Sequence, residues 1–211
     1  MITELPVIVP PPAELIGDGN EDHPMRKVTR QVAFSGAWDA ERAAKVAELF
    51  DGLAPGWKSH LDDPQRTAPL SDAYERGGIP RGGLCLEVAS GDGQNTAFLA
   101  SHHDRVLCAD LSMEMLRHAP VDVGHRLRAD SGDLPLRPAS VDVAVLVNAF
   151  LFPAELDRVL APGGVFVWVN TAGDLTPIHL TTDDVLRALP GTWDGVDAEA
   201  GWGTWAVLRR A

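Results

Sequence analysis

Residues 86–96 read LEVASGDGQNT, and the reading of this stretch decides the fold. An apolar run from Leu84 climbs to Val88 and then breaks into Gly91 and Gly93, one residue apart. A glycine turn between a strand and a helix places a ligand at the carboxyl end of the strand, against a helix N-terminus. Such loops commonly cradle phosphate, yet this one carries Glu87 and Asp92 and no Lys or Arg. At several ångströms and partial burial, each acid facing a phosphate costs on the order of 1 kcal/mol or more. The third glycine of the dinucleotide pattern is also replaced, by Thr96. The loop suits a cationic nucleoside better than a pyrophosphate.

Downstream of the loop, apolar runs alternate with helical stretches. LCLEVA, RVLCADL, HRLRAD, VDVAVLVNAF and VFVWVN read as strands, with QNTAFLASH, MEMLRHA and AELDRVL as helices between them. Near-continuous Val and Leu runs mark strands covered on both faces, as in a parallel sheet flanked by helices. TDDVLRAL opens at Thr181, which with Asp184 resembles a capping box. GVDAEA and TWAVLRR are joined only by GWG, too short for a parallel crossover, so the last strand runs antiparallel. The predicted fold is α/β, doubly wound, with a mostly parallel seven-stranded sheet and an antiparallel C-terminal strand.

The segment before Leu84 has a different character. Residues 1–36 are rich in Pro, Gly and acids and read as an irregular tail, with the basic MRKVTRQ inside it. Arg26, Lys27 and Arg30 there suit a self-docking arm or a hold on an anion. Residues 37–80 read as a helical lid. DAERAAKVAELFDGL has Asp39 as N-cap and Val46, Leu49, Phe50 and Leu53 on one face. A short helix, LSDAYERG, is expected after Pro69. Residues 81–211 form the α/β domain.

Composition narrows the partners. The 211 residues, 45% hydrophobic and 23% charged, suit one domain with a substantial core. The formal net charge of −12 repels nucleic acid and anionic membrane at long range. No apolar run reaches membrane-spanning length, and the N-terminus lacks a secretory pattern, so a cytoplasmic location is the expectation. Cys85 and Cys108 lie inside apolar runs and read as reduced core residues, with no metal expected.

Two further strand ends carry acids. Asp110 closes the second strand, nineteen positions after Gly91, where a carboxylate accepts both ribose hydroxyls. Asp130 closes the third, in reach of an adenine amino group. With these in place, residues 84–211 resemble class I S-adenosylmethionine-dependent methyltransferases. LEVASGDG looks like their first motif and ADLSMEML like their second. ADSGDLPLRPASVDVAVLVNAF is similar to the third and fourth, and ELDRVLAPGGVFVWV to the approach to their fifth strand. ELFDGLAPGW is similar to the leading segment of the quinone-methylating, small-molecule branch.

The resemblance implies a Rossmann-like methyltransferase fold, S-adenosylmethionine as cofactor, and a small-molecule oxygen or carbon acceptor. Glu87 would face the methionine end, with Ala89, Gly91 and Gly93 lining the backbone approach. Asp110, Leu111 and Met115 would hold ribose and adenine, and Asp130 and Ser131 would read the adenine edge. Two departures stand out. Ala89 occupies a position where the family usually has Gly, and it fits if its φ is negative. The connection after the fourth strand is short, with Phe152-Pro153 leading straight into AELDRVL. Phe50 and Trp57 are expected to cover the wall it leaves open. The alternatives are a nucleotide-dependent oxidoreductase, a non-catalytic cofactor-binding protein of the same fold, and a methyltransferase acting on protein or tRNA, with Arg26, Lys27 and Arg30 as its foothold.

Methyl transfer by in-line displacement needs alignment first and a base only for some acceptors. His60, Asp62, Asn148 and His179 fall in segments expected to rim the strand ends, with Asn148 also a cofactor candidate. His102 and His103 read as helix-end residues. Trp193, Trp202 and Trp205 are expected to pack the C-terminal strands.

Overall fold

The structure is a computed structural model that describes residues 1–11, 23–60 and 64–211. The glycine-loop strand lies near the middle of one sheet. In chain order the strands are β1 (Ile2–Glu4), β2 (Leu84–Val88), β3 (Arg105–Asp110), β4 (His125–Arg128), β5 (Val141–Val147), β6 (Leu160–Asn170), β7 (Trp193–Ala200) and β8 (Gly203–Arg210). Their spatial order is β1-β7-β8-β6-β5-β2-β3-β4. The block β4-β3-β2-β5-β6 is parallel throughout, and β8 runs antiparallel to both β6 and β7.

The sheet has eight strands where seven were expected. The extra one is β1, which pairs parallel with β7. No periodicity marks three residues before a proline-rich stretch as a strand; an open sheet edge recruits them. The irregular tail is corrected further along. Pro24–Ser35 is a helix, α1, started by Pro24 and capped by His23, whose Nδ1 accepts from the Met25 N–H at 3.2 Å. Its Thr29, Val32 and Ala33 are buried.

The remaining helices are α2 (Ala40–Leu53), α3 (Pro64–Arg76), α4 (Thr96–Ala100), α5 (Met113–His118), α6 (Pro153–Val159) and α7 (Thr182–Ala188). A 3₁₀ turn, Ala54–His60, follows α2. Asp39 and Thr181 cap α2 and α7, accepting from Arg42 N and Asp184 N at 2.8 and 3.1 Å. The helix expected after Pro69 starts earlier and contains that proline. Its first-turn residues Arg66 and Thr67 line the cavity described below, while its body lies on the sheet. α3 packs on β6, β7 and β8, with Leu70 and Ala73 in the core.

Two apolar layers sandwich the sheet, because successive strand residues point to opposite faces. One gathers Leu86, Val88, Leu146, Phe166 and Trp168 with α6 and α7. The other gathers Cys85, Val143, Val145 and Trp205 with α3 and α4. α3 is tied down by Asp72, whose buried carboxylate accepts from Trp205 Nε1 at 2.8 Å and Arg76 Nε at 2.7 Å. The Arg76 guanidinium lies over the Trp205 ring. Among the described residues no helix is long and apolar enough to cross a membrane. Asp72→Ala leaves an indole N–H and a guanidinium unmatched, and is expected to lower unfolding stability by about 2–4 kcal/mol in urea titration.

Candidate functional site

The carboxyl ends of the parallel strands open into a cavity of about 560 Å³. Its floor is the loop after β2, the first residues after β3 and β4, and the end of β5. Its roof is α2 and the 3₁₀ turn. Val46, Leu49, Phe50 and Leu53, the apolar face of α2, all line it, so that face covers a cavity rather than a core. Phe50 meets Trp57 edge-on at 5.9 Å, and both line the cavity, as expected from the short wall.

The loop is built by one carboxylate. Asp110 accepts from the Gly91 N–H at 2.7 Å and the Ser112 N–H at 2.8 Å. Gly91 and Gly93 have φ of +56° and +77°. A Cβ at Gly91 would meet nothing nearer than Trp57 Nε1 at 4.0 Å, so this peptide faces open cavity. At Gly93 a Cβ would strike Pro120 Cδ at 2.9 Å; that glycine packs the loop and does not line the cavity. Ala89 has φ of +53°, against the expected negative value. It stays left-handed because the loop is pinned on both sides, with Ser90 N bonded to Ala109 O at 3.0 Å.

Ala89, Gly91, Asp110, Leu111, Met115, Asp130, Ser131 and Asn148 are brought together around the cavity. Glu87 is not. It lies behind the loop, 2% exposed, accepting from Thr96 Oγ1 at 2.7 Å. Burial is the main reason its carboxyl is pushed up to about 7, opposed by the Thr96 bond. Residue 87 points to the opposite sheet face from Leu86 and Val88 and does not line the cavity. The Asp110 carboxyl is also raised, by burial first, against its two backbone bonds.

The catalytic candidates fare differently. Asn148 lines the cavity with φ of +50°, and its amide is held on both atoms: Nδ2 donates to Thr171 Oγ1 at 2.8 Å and Oδ1 accepts from Thr171 N at 2.9 Å. It ties the ends of β5 and β6 together. His179 does not line the cavity; it is buried 3.2 Å from Asp174, its ring pKa lowered chiefly by burial. The His60 side chain and Asp62 lie outside the described residues. His103 bonds Tyr74 and the Gly82 carbonyl, and Arg30 pairs with Asp184 at 2.7 Å.

Two residues were missed from sequence. Trp38, between α1 and α2, donates Nε1 to both oxygens of Asp130 at 2.8 and 3.0 Å. Its ring meets Phe152 edge-on at 5.1 Å and Phe150 at 5.7 Å. These three rings fill the place of the shortened connection. Asp51, near the end of α2, accepts from Ser112 Oγ and from Glu114 N at 3.0 Å. The Ser112 bond is the main cause that lowers its carboxyl pKa. This contact latches the roof onto the start of α5.

The comparisons with known proteins agree with this architecture. Residues 86–168 match the family model described as a methyltransferase domain. A SAM-dependent methyltransferase from Aquifex aeolicus is 18% identical, covering 73% of this chain and 97% of its own, with a TM-score of 0.60. A complex of DhpI with SAM and HEP is 23% identical over 77% of this chain and 94% of that one, with a TM-score of 0.58. The [4+2]-cyclase SpnF shares 19% identity over 60% and 59%, with a TM-score of 0.51. The chain spans about half the length of two further solved chains, 47% and 59%. No curated protein matches the chain. Residues 86–168 are thus similar to methyltransferase domains, and the fold is the one that these solved structures share.

Two measurements probe the loop. Ala89→Gly removes a left-handed alanine, about 1–2 kcal/mol, and adds glycine's entropy, about 0.5–1 kcal/mol. The net expectation is a stabilisation of up to about 1 kcal/mol in a denaturant melt. For Glu87, the folded protein holds its proton to about pH 7, above the ordinary value of 4.5. Its contribution is complete below that lower value and is lost as pH rises toward 7. Glu87→Gln should flatten the stability–pH curve across that window.

Proposed function

We propose that this chain is an S-adenosylmethionine-dependent methyltransferase acting on a small molecule. The observation that carries the reading is the cavity itself. An open glycine peptide and three carboxylates, Asp92, Asp110 and Asp130, face one space with no phosphate-binding cation on the strand-end side. That charge suits a sulfonium and an ammonium. When bound, the cofactor supplies an electrophilic methyl on sulfur.

The chain's own residues do the rest. Asp110 keeps lone pairs free after its two backbone bonds, enough to accept from a ribose diol. Asp130, held by Trp38 and by Gly132 N at 2.8 Å, retains capacity for an amino N–H. Leu111 and Met115 present apolar surface to the base, and Ser131 sits beside Asp130. Residues 37–60 act as the lid that excludes water, with Phe50 and Trp57 over the loop. Asn148 positions the ends of β5 and β6 rather than moving a proton. Acceleration then comes from alignment and desolvation. The net charge of −12 disfavours nucleic acid as acceptor.

A second reading, cofactor binding without methyl transfer, is favoured by the aromatic plug of Trp38, Phe150 and Phe152 where the family has more chain. Turnover over a panel of phenols, quinols and small acids separates the two. Calorimetry with S-adenosylhomocysteine against NAD tests the cofactor; tight NAD binding alone would sink the assignment. Asp110→Ala is expected to weaken S-adenosylhomocysteine binding about 10- to 100-fold. Unchanged affinity would remove Asp110 from the ribose site.

A further inference from the structure

The cavity is electrically polarised. All three of its described carboxylates sit on the strand-end side. The one arginine among its described lining residues, Arg66, comes from the first turn of α3 on the far side. Arg66 is partly buried and makes no hydrogen bond or ion pair with any described residue. That is unlike Arg76, Arg158 and Arg187, each of which has a carboxylate partner. His23 lines the same cavity. Its Nδ1 is taken as an acceptor by Met25 N, which leaves Nε2 as the N–H donor. Next to Met25, another lining residue, the Arg26 guanidinium has Nε and Nη2 buried without a hydrogen-bond partner among the described residues. In a chain of net charge −12, an arginine that lines a cavity without a partner among the described residues defines a place for an anion.

The same cavity also carries apolar and aromatic lining, Phe50, Trp57 and Ile178 among it. A planar guanidinium fork beside such surface matches a carboxylate on a small organic body. We propose that Arg66 is a carboxylate-binding residue of this cavity, holding the acid group of a small-molecule ligand at the end opposite Asp110 and Asp130. The inference takes its orientation from the function proposed above. Two ligands could bring the carboxylate: the amino-acid end of the cofactor, or an acidic acceptor.

Arg66→Gln removes the charge at a side chain with no partner among the described residues, and Arg66→Lys keeps the charge without the fork. The full chain and both variants are titrated by calorimetry with two ligand pairs. One pair is S-adenosylhomocysteine and 5′-methylthioadenosine, which lacks the amino-acid group. The other is 4-hydroxybenzoate and its methyl ester. The wild type should prefer the acid-bearing member of at least one pair by about tenfold or more. Arg66→Gln should erase that preference while binding the neutral member unchanged, and Arg66→Lys should restore part of it. Loss in the first pair assigns the cofactor's carboxylate, and loss in the second assigns the acceptor's. An Arg66→Gln protein that keeps both preferences, or loses both members of a pair equally, overturns the inference. If the wild type binds neither nucleoside, the cofactor reading fails, and the acid–ester pair alone decides the role of Arg66.

Discussion

The site depends on the hold of one carboxylate on two peptide groups. Asp110 ends β3, and its oxygens take the N–H of Gly91 in the neighbouring loop and of Ser112 at the start of α5. Charge-assisted bonds of this kind are about twice as strong as neutral ones. They join the turns after two adjacent strands into one rigid ledge. Everything above the ledge takes its position from it. Ala89 is held left-handed, Gly91 is turned to the cavity, and Ser112 is presented to Asp51 of the roof. Because Asp110 is largely buried, its charge is costly, and the two backbone donors are what keep it worthwhile.

Much of this was legible in the sequence, for identifiable reasons. The parallel strands were readable because strands covered on both faces are written as unbroken Val and Leu runs. The antiparallel end followed from a three-residue connection. The acids at the strand ends were found because the glycine loop set the register for looking. What failed depended on partners distant in the chain. β1 is a strand only because β7 offers an edge, and α3 extends back through Pro69 because its Leu70 and Ala73 find the sheet. Trp38 and Asp51 resembled any surface aromatic or acid. Their roles exist only across 92 and 61 residues of separation. Glu87 was expected at the cavity from its charge, and the structure instead buries it behind the loop, outside the cavity lining.

The aromatic cluster closes the cavity wall beside a short connection. With β5 running almost directly into α6, one wall of the cavity has little chain of its own. Phe150 and Phe152 remain, and Trp38 arrives from the N-terminal segment to complete them. Its indole N–H is satisfied by Asp130, as a partly buried indole requires. The same carboxylate thus anchors the aromatic wall and lines the cavity, and substitutions at either partner will couple.

β1 gives the roof a mechanical character. The first residues of the chain are stitched to β7, and α3 is fastened to β6, β7 and β8, so the segment between them is anchored at both ends on one half of the sheet. The described part of that segment is held down at three separate points, by the Arg30–Asp184 ion pair, the Trp38–Asp130 hydrogen bonds and the Asp51–Ser112 latch, so displacing the roof means breaking all three together.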